Sequence, residues 1–399
     1  MPPFALIWRD PVLRMVAGLM ALQGALMCTF GPFVSVLAVR AFGLGDAGDA
    51  AVMVTSTLVS VAAALYSGIR ADQTANRREI ALFSGGVVVA GVLAMTFLPS
   101  TISFVLAHAL LLPANSLFGQ LFAQARLATA TLPPAQRDGI QATIRALLAL
   151  PFVVILPLWS LAFARGVPVM AIYPVALALS VAMMGMMGMI WARWPTKGAM
   201  EGRDAPSGLS LRAALAEVAN PALALRILAL GAVSAGGTAY WAVMGLALTP
   251  ATGTGGHAAL YAGLVAGLEV PFMLALPLLP RWKRANLIAI GTVLYVVHLV
   301  GIPLLANSPF LWLLLIPGAA GGALTLTLPI VYLQDQLSER PGTAAALMAL
   351  MKVAGDGLAA GSFAMGTSLS GYTLAAVLAA AVTLAGAGAL VLADAKRRP

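Results

Sequence analysis

The chain has 399 residues, of which 61% are hydrophobic and only 9% charged, with a formal net charge of +9. A soluble globular protein carries about 25% charged residues, so this chain cannot build a water-soluble surface and soluble enzyme folds are excluded. Disorder is excluded as well, because it requires low hydrophobicity.

Apolar runs fall at 12–37, 49–69, 79–98, 101–125, 139–163 and 167–191. Six more follow at 222–248, 258–280, 286–305, 309–333, 342–368 and 371–393. Each is near the ~20 residues that span a bilayer as a helix. The first run is too long for the apolar core of a cleavable signal and reads as a permanent helix. Ser370-Gly371 is a weak break, inferred because a run over 342–393 is too long for one crossing. The longest polar stretch, 193–221, separates six spans from six. Within it, Ser210 can cap a short amphipathic helix running to Ala219, and Asn220-Pro221 suits the start of the seventh span. The loops after the fourth and tenth spans echo each other weakly, Gln124-Ala-Arg126 before Arg137-Asp-Gly139 and Gln334-Asp-Gln336 before Arg340-Pro-Gly342. The expected division is 1–192, 193–221 and 222–399, two bundles joined by a linker.

Nineteen of the 23 Lys and Arg residues fall on one side of this arrangement. Arg40 and Arg165 fall on the other side, and Arg145 and Lys352 lie inside spans. Basic loops stay in the cytoplasm, so both termini are expected there and the number of spans is even. The basic charge marks alternate loops rather than one patch, so it signals topology and not nucleic-acid binding. One cysteine, Cys28, and three scattered histidines, His108, His257 and His298, build no disulfide or metal framework, so no cofactor or metal is expected.

Four ionisable residues sit within spans: Arg145, Glu269, Lys352 and Asp356. Insertion costs about 2.5–3.5 kcal/mol for an Arg, Lys or Asp at a helix centre. Their charges sum to zero, so pairing is feasible. At 1.5 Å per residue, Glu269 and Lys352 each lie about 18 Å from the basic residue that ends their helix, near the midplane. Asp356 is one turn from Lys352 on the same face. Arg145 is about 12 Å deep, nearer the cytoplasm, as a cavity residue or a gate. Glu269 reads as a group that alternates between a proton, a cation and a substrate hydroxyl. The competing reading is a static ion pair that holds the second half together.

In the fourth span His108, Leu112, Asn115, Gly119, Phe122 and Arg126 alternate at steps of four and three, which predicts one continuous helical stripe. Such a stripe faces protein or water rather than lipid, for packing or for binding. Gln120 and Gln124 form a neighbouring stripe, and Gln23 in the first span is a further candidate. Trp241 reads as an interfacial anchor, with Tyr240 beside it.

The second bend reads Gly68-Ile-Arg-Ala-Asp72-Gln-Thr-Ala-Asn-Arg77-Arg78. It resembles the signature loop of the major facilitator superfamily at Gly68, Asp72, Arg77 and Arg78, with Gln73 and Ala75 as departures. Gly68 is expected to allow close helix approach. Gln120-Leu-Phe-Ala-Gln-Ala-Arg126, Ile144-Arg145-Ala146, Thr238-Ala-Tyr240, Ala266-Gly-Leu-Glu269-Val-Pro271, Gln334-Asp335 and Gly342-Thr-Ala-Ala345 resemble the bacterial sugar efflux transporter family within it. The fifth span reads Val154-Ile-Leu-Pro157, without the family's Gly-Pro, and Lys352 and Asp356 stand where neutral polar residues are usual.

The resemblance implies an all-α membrane protein: twelve transmembrane helices in two pseudo-symmetric six-helix bundles, the major facilitator fold. It implies a monomeric secondary transporter in a bacterial cytoplasmic membrane. The halves would rock about a central cavity and export sugars or glycosides in exchange for protons. The alternative is a broad-specificity drug or metabolite exporter. An intramembrane protease is not supported, because Val353 breaks a Gly-x-Gly-Asp motif at Asp356 and Leu82 breaks a Gly-x-Ser-Gly motif at Ser84.

Overall fold

A computed structural model of the chain describes residues 3–74, 77–129, 131–191, 221–249, 255–276, 282–336 and 341–395. Helices follow the apolar runs one for one. In the first half they are α1 (Pro11–Phe30), α2 (Gly45–Thr74), α3 (Arg77–Phe97), an interrupted α4 (Thr101–Val105 and Leu117–Ala128), α5 (Pro134–Ala164) and α6 (Ile172–Trp191). In the second they are α7 (Pro221–Ala247), α8 (Gly256–Ala275), α9 (Arg284–Leu305), α10 (Leu315–Gln336), α11 (Pro341–Leu369) and α12 (Tyr372–Ala395). No strand occurs among the described residues. Nine of the described helices are long and apolar enough to cross a membrane. The amphipathic helix expected at 210–219 and the rest of the linker lie outside the described residues.

Local chemistry sets the ends. Asp10 accepts from the backbone N–H groups of Val12 and Leu13 at 2.7 and 3.2 Å, capping α1, and Pro11 takes the first helical position, where no N–H is needed. Beyond Phe30 the chain continues through Val34–Val36 into a wide π-helical turn, Leu37–Ala41. The weak break before α12 is a true turn. Gly371 has φ +99° and its N–H donates to the Gly366 carbonyl at 2.9 Å, closing α11 with a conformation that side chains resist.

The fourth span is where the structure departs from the predicted stripe. A π-helical segment, Leu106–Leu111, follows Thr101–Val105, and helix resumes only at Leu117. Pro113 lacks an N–H and clashes with the preceding turn, which breaks the ladder. Asn115 Oδ1 then accepts from the Leu117 N–H at 2.9 Å and starts the new helix. His108 and Gly119 therefore lie on separate segments rather than along one continuous face.

Contacts divide the chain into two compact units. The first comprises Met1–Phe30, Ala62–Leu156 and Met170–Gly208. In it α1 passes α5 so closely that a Cβ on Gly24 would collide with the Leu148 carbonyl. Methionines of α6 fill the space over Gly85 of α3. The second comprises Gly31–Val61, Pro157–Val169 and Leu209–Pro399. There α7 packs most extensively on α11 and α12, and α9 lies against α10 with Gly321 beside the Tyr295 backbone. Small residues at crossings are what helices in lipid need, since close van der Waals contact replaces the hydrophobic drive.

Candidate functional site

Three of the four charges predicted inside the spans, Glu269, Lys352 and Asp356, lie in the second unit and separate into two groups there, while Arg145 lies in the first. Lys352 and Asp356 form an ion pair one turn apart on α11, with the Lys352 side chain half-exposed and Asp356 buried. Asp356 also accepts hydrogen bonds from Thr238 Oγ1 of α7 at 2.6 Å and from Thr57 Oγ1 of α2 at 2.8 Å. Three donors from three helices satisfy the carboxylate, which is what a buried charge requires.

Glu269 is half-buried on α8. Its carboxylate rests on α10 at Gly322, where any Cβ would collide with Oε1. Tyr240 of α7 and Tyr295 of α9 lie within its electrostatic reach. Tyr240 is buried, with ring centroids 5.2 Å from Trp241, 5.2 Å from His298 and 6.1 Å from Tyr295. The predicted Glu269 and Tyr240 are thus brought into one cluster, separate from the hydrogen bonds that hold Asp356.

The first unit gathers the neutral candidates. Asn115 Nδ2 donates to Gln23 Oε1 at 3.2 Å, joining the break in α4 to α1. Ser84 and Ser116 are linked at 2.7 Å on the other side of that break. Gln120 and Gln124 are buried on the second segment of α4, and Gln120 Oε1 accepts from Arg77 Nη1 at 3.4 Å. His108 is buried in an aromatic cage, 4.5 Å from Phe104 and 5.5 Å from Phe30 by ring centroids, and its Nε2 meets the Tyr173 hydroxyl at 3.0 Å. That is the environment of a packed, satisfied histidine. Arg145 is half-buried on α5.

In the signature loop, no described residue lies within contact of a Cβ built on Gly68. Arg77 reaches Gln120, and Arg78 is half-buried. The side chain of Asp72 lies outside the described residues.

Other polar groups were not singled out by the sequence. Thr57 carried no signal beyond being one of several hydroxyl residues in its span. Arg226, near the start of α7, is buried, and there Nη2 donates to the Ala393 carbonyl at 3.2 Å and Nε lies 3.7 Å from Asp394 of α12. Tyr332 donates to the same Asp394 at 2.5 Å. Arg40, past the end of α1, donates to the carbonyls of Leu246 (2.8 Å) and Thr249 at the end of α7. Asp49 of α2 is fully buried, with the Ser35 side chain as its polar neighbour.

No family profile matches the chain. A protein of Deinococcus radiodurans that carries the name of a sugar efflux transporter is 28% identical over 389 residues, covering 92% of this chain and 94% of the relative. Among solved structures, an aspartate-to-alanine mutant of the nucleoside transporter NupG superposes with a TM-score of 0.75, at 16% identity, over 96% of this chain and all of that one. Unmutated NupG gives 0.70 over 98% of this chain. The chain has a transporter fold. It is a multi-pass membrane protein whose relatives are transporters and not enzymes, and its resemblance to a sugar efflux transporter extends along nearly its whole length.

Proposed function

We propose that the chain exports sugars or glycosides in exchange for protons, working as a monomer by alternating access in a bacterial cytoplasmic membrane with both termini in the cytoplasm. The likeness to the Deinococcus radiodurans sugar efflux relative, over 92% of this chain, carries the reading. Glu269 supports the proton half of it. It is an acid in an apolar span, and its carboxylate rests on Gly322. A carboxyl so placed can hold a proton and then release it toward a substrate hydroxyl. Lys352, half-exposed beside the fully bonded Asp356, supplies a fixed donor for sugar oxygens. Nucleosides are the second cargo to test, because the NupG likeness favours them and their ribose offers the same hydroxyl chemistry.

The test is uptake of labelled glucose, lactose and uridine into inside-out vesicles with an acid interior. Gradient-driven accumulation of a sugar is expected, and it falls to the level without a gradient in Glu269→Gln. Accumulation of uridine alone overturns the sugar assignment. Accumulation of none, in vesicles holding folded protein, overturns both cargoes. An unaltered gradient response in Glu269→Gln removes that residue from coupling.

A further inference from the structure

A cavity of about 470 Å³ opens on the second unit between α9 and α12, lined by Trp282, Asn286, Ala289, Ile290 and Val391. A hollow of about 300 Å³ continues it along α9 over Ala289, Ile290, Val293 and Leu294. From Asn286 to Leu294 the groove runs about 12 Å along the helix. Helical periodicity explains why it faces outward. Ala285 and Ile288 are buried in a core shared with Ala387 and Leu390 of α12, which turns the far side of α9 away from the protein. On that side Ile290, Val293 and Val297 are 40%, 52% and 51% exposed. Both α9 and α12 are long and apolar enough to cross a membrane, so this face meets lipid.

One end of the groove is polar and basic. Trp282 is exposed just before α9 begins, at the membrane edge that indole rings favour. Lys283 is exposed and stands three residues before Asn286 and seven before Ile290, the spacing of one helix face. Asn286 is exposed as well, and the half-buried Arg284 starts the helix. In sequence, six basic residues flank these two helix ends: Arg281, Lys283 and Arg284 at the start of α9, and Lys396, Arg397 and Arg398 after Ala395. The acid near the end of α12, Asp394, accepts from Tyr332 at 2.5 Å and has Arg226 Nε at 3.7 Å, so its charge is already balanced. A basic end on an apolar groove is complementary to a phosphate that carries a hydrocarbon chain. Free phosphate would leave the groove unfilled. A second copy docked about a two-fold axis would set the same cations against each other.

We propose that the groove between α9 and α12 binds one anionic phospholipid. The Lys283 ammonium and the Asn286 side-chain N–H donate to its phosphate oxygens. Trp282 lies at the level of the headgroup. One acyl chain follows Ala289, Ile290 and Val293 with Val391 as the opposite wall. A lipid seated there joins α9 to α12 and stabilises the folded chain by its binding energy. The site is independent of the cargo and coupling proposed above.

The test titrates the full chain in detergent with dioleoylphosphatidylglycerol or dioleoylphosphatidylcholine and counts retained lipids by native mass spectrometry. One phosphatidylglycerol per chain is expected to bind at least about tenfold tighter than phosphatidylcholine, since each basic residue near a headgroup adds about fivefold. Lys283→Glu changes an exposed charge by two units and is expected to weaken phosphatidylglycerol by at least about tenfold, with phosphatidylcholine unchanged. A smaller loss, or equal binding of the two lipids by wild type, overturns the site. Ala289→Phe fills the groove and leaves every charge in place, and it is expected to weaken phosphatidylglycerol as well. Unchanged binding in that variant places the lipid on the surface cations alone and overturns the groove. Should Ala289→Phe fail to fold, Val293→Trp, at an exposed position, decides by the same reading. Displacement of the lipid by an equal concentration of inorganic phosphate, or a dimer in place of a lipid-bound monomer, overturns the proposal too.

Discussion

Asp356 is the residue at which burial, charge and topology meet. Its carboxylate is buried and takes donors from Lys352, Thr238 and Thr57. Lys352→Met leaves a buried charge with two neutral donors. Breaking a fully buried pair costs about 3–5 kcal/mol, and the half-exposed Lys352 brings the expected loss nearer 2 kcal/mol. The double variant with Asp356→Asn removes the unpaired charge and is expected to regain most of that loss. Thermal melts in one detergent check it, and a double variant no more stable than Lys352→Met contradicts the pairing. The lysine partner was legible in the sequence because four residues make one helical turn. Thr57 was not, because it is 299 residues away along the chain and nothing local marks it.

Helix crossings carry the next set of consequences. On Gly24 a methyl group would run into the Leu148 carbonyl, which is main chain and cannot rotate aside. Gly24→Ala is therefore expected to part α1 from α5 and cost about 1–3 kcal/mol. Gly237 of α7 has nothing within contact of a Cβ, so Gly237→Ala should be neutral or stabilising by up to about 1 kcal/mol, the helix-propensity difference. Melting temperatures of the pair check both. Equal losses would mean that the crossing is not as tight as the coordinates place it. The break in α4 belongs to this scale as well. Spacing alone described a straight stripe, while Pro113 and the Asn115 cap made two segments of it.

At the scale of the whole molecule, the chain past α1 and the start of α2 pack with the ends of α7 and α12 within one compact unit. Arg40 holds the Leu246 and Thr249 carbonyls, Phe33 covers Gly255, and Tyr372 reaches Asp46 at 3.4 Å. An arginine on the last carbonyls of a helix is favoured both by its hydrogen bonds and by the helix dipole. Any opening at this end must release Arg40. Cys28 is the one natural cysteine, so a Cys28→Ala background gives a clean probe. Thr249→Cys, at a buried position, is expected to react slowly with an impermeant maleimide and several times faster once Arg40→Ala is added. An unchanged labelling rate would show that Arg40 does not hold this end closed.

The order and approximate bounds of the helices were legible in sequence alone, because bilayer thickness makes a crossing a local property of about 20 residues. The intramembrane charges were legible for the same reason: each stands out against its own apolar run. The tertiary structure decided which of those groups meet. Lipid-facing and protein-facing sides of a membrane helix are both apolar, so composition does not reveal a helix's rotation or its partners. Sequence could name Glu269 and list His298 as one of three histidines. Only the packing of α8 and α9 on α10 set His298 over Gly318 and Glu269 over Gly322, one turn further along.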